Sequence, residues 1–211
     1  MSKPSISYAI TTHNEGQCIE LLIKSILAVK DEDDEIIVVD DYSSDSLTYA
    51  ILEENAVEGN IKLSKREFTG HFADHKNYLL DQCSKDYIFN VDADERIPIN
   101  LANNLKGIIL QNSEVEAFWI PRVNIVNGIT EEHMLRWRWI NNPQGINFPD
   151  WQLRLFKNDK RLRFVNKVHE TISNANIVSF FPELAMYALI HEKSIEKQEK
   201  QNELYDKILL Q

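Results

Sequence analysis

The feature that most constrains the fold of this chain is a series of short apolar segments that alternate with helical patterns. Residues 35–41 read EIIVVDD, a continuous β-branched run that is typical of a strand buried on both faces. Segments 6–12, 60–68 and 87–91 predict three further strands, and residues between the strands repeat with a helical period. This alternation predicts βαβ units and a parallel sheet.

The helical periods cover residues 15–29, 44–56 and 73–83, with Asn14 as the expected N-cap of the first helix. After residue 115 the pattern changes to strands at 115–126, 151–156, 163–168 and 185–191, a turn-rich loop at 141–149, and a charged helix at 194–210. Arginines and tryptophans alternate over 136–139, which predicts a strand with one residue type on each face. Because no linker divides the halves, residues 1–211 are expected to form a single domain.

Composition narrows the function classes. The chain has 211 residues, of which 43% are hydrophobic and 27% charged, so a disordered chain is disfavoured. A net charge of −10 argues against nucleic-acid binding. No run of 18 apolar residues and no signal-peptide pattern is found in the sequence. With only two cysteines and no CxxC spacing, we expect reduced thiols and a cytoplasmic location.

Charge is distributed unevenly along the chain. Residues 31–58 contain eleven acidic and no basic side chains, whereas residues 151–170 contain six basic and two acidic ones. Two interpretations stay open: two solvated faces of opposite sign, or a basic wall, including Arg154, that faces an anionic group.

Polar residues follow three of the predicted strands, in the runs TTHNE, DDYSSD and DADE. Ligands of open parallel sheets bind outside the carboxyl ends of the strands, so these runs are expected to meet at one edge. Asp92 and Asp94, two residues apart, can both reach one Mg²⁺ or Mn²⁺ ion, which would neutralise a diphosphate. Alternatively, Asp94 caps the next segment and Asp92 is solvated.

A second acidic pair, Asp40 and Asp41, can accept hydrogen bonds from a nucleoside. The alternative is helix capping by Ser43, Ser44 or Asp45, which leaves Asp40 unexplained. The sequence contains neither GxGxxG nor GxxxxGK[ST], so dinucleotide and P-loop proteins are disfavoured.

The ordered set of segments resembles the family 2 glycosyltransferases of GT-A fold, in particular the small enzymes similar to lipopolysaccharide-core glucosyltransferases. The resemblance covers nearly the whole chain and rests on ISYAITTHNE, EIIVVDDYSSD, GHFADHKNYLLDQCSKDYIFNVDADE, DWQLRLFK, FVNKVHE and the late ALIH. It implies a Rossmann-like, mostly parallel sheet flanked by helices, with a mixed β region and a C-terminal helix. Residues 1–98 would form the nucleotide-binding half and residues 99–211 the acceptor-binding half.

The resemblance also implies site residues. It places the nucleotide and donor sugar beside eight side chains: Thr11, Asn14, Glu15, Asp40, Asp41, Lys76, Asn77 and Asp92. It implies a divalent cation, Mn²⁺ or Mg²⁺, held by Asp92 and Asp94. A later histidine completes the metal shell in related enzymes, so His191 is a candidate ligand; the alternative is an ordinary histidine at a strand end.

For the catalytic base the resemblance points to Asp150, which follows a turn-rich loop but is preceded by Pro149 where the family usually has Glu. Glu170 is the rival base, and His169 is a candidate to orient the acceptor or the diphosphate. All four tryptophans, Trp119, Trp137, Trp139 and Trp151, lie in the second half, and one ring is expected at the acceptor.

These observations predict a metal-dependent, inverting glycosyltransferase that moves a sugar from a UDP-sugar to a hydroxyl of a glycan or lipid-linked acceptor. Peripheral contact with the inner membrane face and the oligomeric state stay open. A nucleotidyltransferase would need a glycine-rich basic loop after the first strand, where this chain has TTHNE. A non-catalytic nucleotide-binding or sugar-binding protein of the same fold is the other alternative, disfavoured by the intact Asp92 and Asp94 pair.

Overall fold

The computed structural model describes residues 3–210. This range contains twelve strands: β1 (Ile6–Thr12), β2 (Glu35–Asp40), β3 (Lys62–Lys65), β4 (Tyr87–Asn90), β5 (Glu95–Arg96), β6 (Ala117–Ile120), β7 (Arg122–Asn127), β8 (Gln152–Lys157), β9 (Arg163–Val165), β10 (Thr171–Ser173), β11 (Val178–Phe180) and β12 (Leu189–Ser194). It also contains six α-helices: α1 (Gln17–Leu27), α2 (Ser46–Val57), α3 (Phe72–Leu80), α4 (Ile99–Gln111), α5 (Glu131–Trp137) and α6 (Ile195–Leu209).

A central sheet of seven strands has the order β11-β6-β8-β4-β1-β2-β3. Strand β1 is parallel to β2 and β4, β2 is parallel to β3, and β6 is parallel to β11, whereas β8 is antiparallel to both of its neighbours. The predicted α/β class, with a mostly parallel sheet flanked by helices and a mixed β region, is confirmed.

The register of the sheet brings the carboxyl ends of the first strands together. Thr12 pairs with Asp40 in the β1–β2 ladder, and Ala9 pairs with Asn90 in the β1–β4 ladder. Every residue of β2 is buried, as expected for a strand covered on both faces. The polar residues that follow these strands therefore leave the sheet at the same edge.

Helix α1 buries one face on this sheet, through Ile19, Leu22, Ile23 and Ile26. The prediction that Asn14 caps this helix is wrong. The N-cap is Gly16, with a positive φ of 49° and no side-chain cap, and Asn14 instead accepts hydrogen bonds from the backbone beyond β2. The left-handed backbone at Gly16 explains why a residue without a Cβ stands there.

The strand predicted over 115–126 is two strands in different sheets. Pro121 separates β6, which pairs with β8, from β7, which pairs in parallel with β12. Proline has no N–H to donate to a ladder, so the chain changes sheets at this residue. Strand β12 also pairs antiparallel with β5, completing a three-stranded sheet beside the first.

The prediction of a strand over 136–139 is also wrong. These residues end helix α5, which starts with a capping box between Thr130 and His133 and stops at Arg138, whose φ is 57°. The capping box and the left-handed terminus outweigh the alternation of residue types.

Three other boundaries differ from expectation. Helix α4 was outside the predicted elements, although its buried Leu101, Leu105 and Ile109 repeat every four residues. The strand predicted at 163–168 ends at Val165. The strand predicted at 185–191 begins with a 3-10 turn and pairs only from residue 189 onward.

The helices of residues 3–210 include none that is long and apolar enough to cross a membrane. The predicted C-terminal helix is confirmed as α6, which starts after Ser194, whose side chain accepts from the amide of Lys197.

We predict that two adjacent phenylalanines differ sharply in their contribution to stability. Phe181 is 2% exposed and packs edge-on against Phe118 with ring centroids 5.7 Å apart, whereas Phe180 is 56% exposed. Phe181→Ala is expected to lower the free energy of unfolding by about 3–5 kcal/mol because it leaves a core cavity. Phe180→Ala should cost about 1 kcal/mol or less. Urea denaturation measures both, and equal losses would contradict the packing.

Candidate active site

A cavity of about 950 Å³ opens at the carboxyl edge of the central sheet. Its size is that of a site for a substrate of moderate size. Nine of the candidate donor, metal and base residues line it: Thr11, Glu15, Asp41, Lys76, Asp92, Asp94, Asp150, Glu170 and His191. The structure thus brings the candidate donor, metal and base residues into one space.

Three of the predicted nucleotide residues, Asn14, Asp40 and Asn77, do not line this cavity. Asn14 accepts from the amides of Ser44 and Asp45 at 2.7 and 3.0 Å. The carboxylate of Asp40 is buried and accepts from the amide and hydroxyl of Ser43. Asn77 exchanges two hydrogen bonds with the backbone of Phe164. These three side chains hold the loops that form the walls.

Near the ends of β1 and β2, the cavity wall carries the predicted Asp41, which accepts from the amide of Phe68 at 2.8 Å. The same wall carries two polar atoms that the sequence did not indicate. The hydroxyl of Thr12 and Nδ1 of His75 are buried and lack a hydrogen-bond partner among residues 3–210. Burial lowers the pKa of His75, so its ring is neutral at physiological pH. Neutral buried groups without partners suit a polar but uncharged ligand group.

Asp92 lies in an ion network rather than in solvent. Arg154 binds both of its carboxylate oxygens, and Lys76 Nζ lies 3.0 Å from Oδ1. Lys76 also pairs with Glu170 at 2.7 Å. Although burial acts to raise the pKa of Asp92, Arg154 and Lys76 hold it well below its usual range.

Arg154 belongs to the basic segment 151–170, and the structure divides that segment. The Arg154 side chain is 7% exposed, on β8 beside β4, and also reaches Glu95, whose side chain is fully buried, at 3.1 Å. Arg161 and Arg163 instead pair with carboxylates at the surface. The segment is thus neither one solvated face nor one wall.

Asp94 faces a histidine and a lysine from the end of the chain. Its Oδ2 lies 3.3 Å from His191 Nε2 and 3.0 Å from Lys197 Nζ. Lys197 Nζ also lies 2.6 Å from Oε2 of Glu15. Burial acts to raise the pKa of Asp94, but the hydrogen bond and charge of His191 and the charge of Lys197 lower it. The alternative that Asp94 caps a helix is not what the structure shows.

The orientation of the His191 ring follows from its neighbour Asn124. The Asn124 amide nitrogen donates to Asp150 Oδ2 at 2.7 Å and to the carbonyl of Ile146 at 3.2 Å. Its oxygen therefore faces His191 Nδ1, 2.9 Å away, and must accept a proton from it. Nε2, 3.3 Å from Asp94 Oδ2, then either donates a proton to this carboxylate, as a charged ring does, or offers a lone pair to a cation that the two side chains share.

Asp94 and His191 thus fit a hard divalent cation, with the second ring nitrogen held by an amide as is usual for metal-binding histidines. Asp92 is already paired with a positive charge in this arrangement, because Arg154 binds both of its oxygens. Among residues 3–210, no three His, Cys, Asp or Glu side chains converge as a complete metal site. Mg²⁺ and Mn²⁺ sites commonly use one or two protein ligands and complete their shell with phosphate oxygens and water.

Asp150 is held on both oxygens. Oδ2 accepts from Arg122 at 2.8 Å and from Asn124, and Oδ1 accepts from Gln152 at 3.0 Å. Burial acts to raise its pKa, but Arg122 and these hydrogen bonds lower it, so the group is ionised at neutral pH. Its φ of 26° is unusual for a residue with a Cβ, and such backbone strain is concentrated at functional sites.

Aromatic rings border the cavity next to Asp150. Trp119, Trp139 and Trp151 line it. Phe180 stacks on Trp119 with centroids 6.2 Å apart and meets Trp151 edge-on at 4.9 Å. Trp137 lies behind, packed on Trp139. The rings thus add apolar surface to a cavity that is otherwise lined by many charged side chains.

The sequence model of the family "Glycosyl transferase family 2" matches residues 7–175. The chain belongs to glycosyl transferase family 2. The family resemblance drawn from the motifs is therefore confirmed, and the cavity lies within the part of the chain that the family model covers together with the two final elements, β12 and α6.

Individual family 2 relatives cover most of this chain but only part of their own length. The lipopolysaccharide core biosynthesis glycosyltransferase LpsC of Rhizobium meliloti is 30% identical over 74% of this chain and 51% of its own. The SPbeta prophage-derived glycosyltransferase SunS of Bacillus subtilis is 28% identical over 82% of this chain and 36% of its own. The chain thus spans between a third and about half of these relatives.

Solved structures of other proteins share the fold. S. aureus TarS 1–349 in complex with UDP-GlcNAc superposes with a TM-score of 0.62 and 21% identity, over 91% of this chain and 59% of TarS. Its complex with UDP superposes with the same TM-score over 98% of this chain and 65% of TarS. At this identity the likeness establishes the fold alone.

We predict that Arg154→Met lowers the free energy of unfolding by about 3–5 kcal/mol at pH 7, because Asp92 and Glu95 keep buried charges without their main partner. The depressed pKa of Asp92 means that its stabilising pair is present above about pH 4 and is lost as pH falls through the folded value.

The difference between wild type and Arg154→Met should therefore shrink from pH 7 to pH 4, since acid protonates the unpaired carboxylates of the variant. Urea denaturation at both pH values measures it, with the exposed Lys160→Met as the charge-matched control. A difference that stays constant or grows toward pH 4 would show that the ion network does not carry this stability.

Proposed function

We propose that this chain is the catalytic domain of a metal-dependent, inverting glycosyltransferase that uses a UDP-sugar. The observation that carries the proposal is a continuous chain of contacts, Asp94–His191–Asn124–Asp150, inside one cavity. It links the candidate cation ligands to the candidate base through one amide. A family 2 chain with this connection has the parts for donor activation and acceptor deprotonation in fixed relation.

The nucleotide is assigned to the part of the cavity beside β1 and β2. Thr11, Asp41 and the partnerless Thr12 and His75 supply polar atoms there, and Asn14 and Asp40 hold the loops around them. UDP is favoured as the nucleotide because TarS, a structural neighbour of the same fold, has been solved with UDP and with UDP-GlcNAc. Glu15 and Lys76, in the middle of α3, would border the diphosphate and sugar, and Asn77 ties this helix to the backbone of Phe164.

A cation, Mn²⁺ or Mg²⁺, is assigned to Asp94 and His191, with Asp92 behind them as the residue that orders Arg154 and Lys76. When bound, the cation would neutralise the charge of the departing diphosphate. Lys76, with its Nζ buried between Asp92 and Glu170, adds positive charge on the same side. The residues of this wall thus stabilise negative charge, and no covalent intermediate is needed.

Asp150 is assigned as the base. Its carboxylate is ionised at neutral pH, and Oδ1 receives only the Gln152 bond, which leaves a lone pair for an acceptor hydroxyl. Direct attack of that hydroxyl on the anomeric carbon inverts its configuration. Glu170, the rival, is bound to Lys76 on the donor wall and has a structural role in this proposal.

The acceptor is assigned to the aromatic wall formed by Trp119, Trp139 and Trp151, since flat rings pack against sugar faces. A glycan or lipid-linked sugar hydroxyl is the proposed nucleophile, in line with the relative LpsC, named for lipopolysaccharide core biosynthesis. The division into a donor half, residues 1–98, and an acceptor half, residues 99–211, is part of this proposal, with His191 of the second half reaching into the donor side.

We predict that Mn²⁺ tightens UDP binding to the wild-type protein by at least about tenfold, because the cation joins Asp94 and the phosphates. Asp94→Ala should abolish the gain and leave the weak metal-free binding. Isothermal titration of UDP with and without Mn²⁺ measures this, with the exposed Asp33→Ala as control. A gain that persists in Asp94→Ala would remove Asp94 from the cation site.

We predict that Asp150→Asn lowers kcat for sugar transfer by about 10²–10⁴-fold, the usual contribution of a positioned base, with little change in donor affinity. Glu170→Gln is the matched comparison and should keep UDP-sugar transfer within about tenfold of wild type. Initial rates with a panel of UDP-sugars and sugar acceptors measure both. A larger loss in Glu170→Gln would make Glu170 the base, and donor binding without turnover by the wild type would favour a non-catalytic binding protein.

A further inference from the structure

Lys197 stands in the first turn of α6, and its ammonium ties the end of the chain to two loops of the donor edge. Its Nζ lies 2.6 Å from Oε2 of Glu15, in the connection between β1 and α1, and 3.0 Å from Oδ2 of Asp94. Both carboxylates are largely buried, at 18% and 15% side-chain exposure, whereas Lys197 is 41% exposed. One lysine is thus shared by two largely buried acids.

The contact falls on an oxygen that a cation would need. Oδ2 of Asp94 is the atom that faces both Lys197 Nζ and His191 Nε2. A cation shared by Asp94 and His191 would bond to that oxygen at about 2.1 Å. An ammonium that stays within hydrogen-bond distance of the same oxygen would then lie next to a doubly charged ion. The two positive charges therefore compete for one carboxylate oxygen.

A buried carboxylate without a positive partner is strongly unfavourable, which explains the position of Lys197. Burial and the neighbouring Asp94 raise the pKa of Glu15, and the charge of Lys197 acts against this rise. The pKa of Lys197 itself is raised by Asp94 and Glu15 although burial acts to lower it. Lys197 therefore stays protonated and carries a permanent positive charge at the donor edge.

We propose that Lys197 is a positioning residue that holds Asp94 and Glu15 in place and exchanges with the divalent cation on Asp94. Cation binding replaces the ammonium at Oδ2, and Lys197 turns into the cavity, which Lys197 and Lys200 of α6 both line. There the ammonium meets the negative charge of the nucleotide diphosphate. The inference rests on the cation site of the proposed function and adds that α6 senses whether that site is filled.

This exchange predicts a gain of affinity, which damage to the fold would not produce. Removing the ammonium should leave Asp94 free for the cation, so Lys197→Met is expected to bind Mn²⁺ at least about tenfold tighter than wild type. The measurement is isothermal titration of Mn²⁺ alone, without nucleotide, at pH 7.5. Lys207→Met, on the last turn of the same helix, is the control for the loss of one positive charge and should stay within about twofold of wild type.

The possible results distinguish a failure of the proposed exchange from a failure of the proposed cation site. Equal or weaker Mn²⁺ binding by Lys197→Met, beside measurable binding by wild type, overturns the exchange and leaves the cation site standing. Absence of Mn²⁺ binding in wild type, Lys197→Met and Lys207→Met overturns both. A tenfold gain in Lys207→Met as well would assign the effect to net charge and overturn the exchange.

A second measurement uses the unmodified protein and does not depend on the folding of a variant. Acetylation of lysine amines by a reactive ester, followed by mass spectrometry, reports how free each ammonium is. Saturating Mn²⁺ is expected to raise the labelling rate of Lys197 by about threefold or more while the surface Lys207 stays unchanged. An unchanged or slower rate at Lys197 in saturating Mn²⁺ would contradict the exchange.

Discussion

The donor edge of this protein depends on the burial of Arg154 among acidic side chains. Strand β4 ends in a turn that places Asp92, whose side chain is 31% exposed, near the fully buried Glu95, where their charges would repel each other. Arg154 enters from the antiparallel neighbour β8 and binds both, and Arg122 closes the network on Glu95 at 3.0 Å. A planar guanidinium with five donors suits this task in a way that a lysine ammonium does not.

The same network also connects the donor edge to the proposed base. Arg122 binds Glu95 on one side and Asp150 on the other, so the group that stabilises the metal-motif turn also holds the proposed base. Asn124 repeats the connection through His191. Arg122 and Asn124, two apart on β7 with both side chains on the same face of the strand, therefore join Asp150 to Glu95 and to His191.

Local patterns were sufficient to predict the first half of the fold. The buried run of β2, the alternation with helices and the polar strand ends indicated a parallel sheet with a ligand edge, and the motifs indicated the family. Patterns were misleading where a terminus decided the structure: Pro121 divided one predicted strand, and the capping box of Thr130 made a helix of residues that alternate like a strand. A proline or a helix cap is a signal from one or two residues, and the repeat of apolar or aromatic residues over a longer window hides it.

The pairings of the candidate site could not be read in the same way, because they join residues far apart in the chain. Lys197 and Glu15 are 182 positions apart, and Arg154 and Asp92 are 62 apart. An acidic motif in sequence shows neither which oxygens are already occupied nor which cation occupies them. Here Asp92 is paired with the buried Arg154, whereas Asp94 is shared by His191 and the half-exposed Lys197, so two acids of one sequence motif have different surroundings that the motif itself does not reveal.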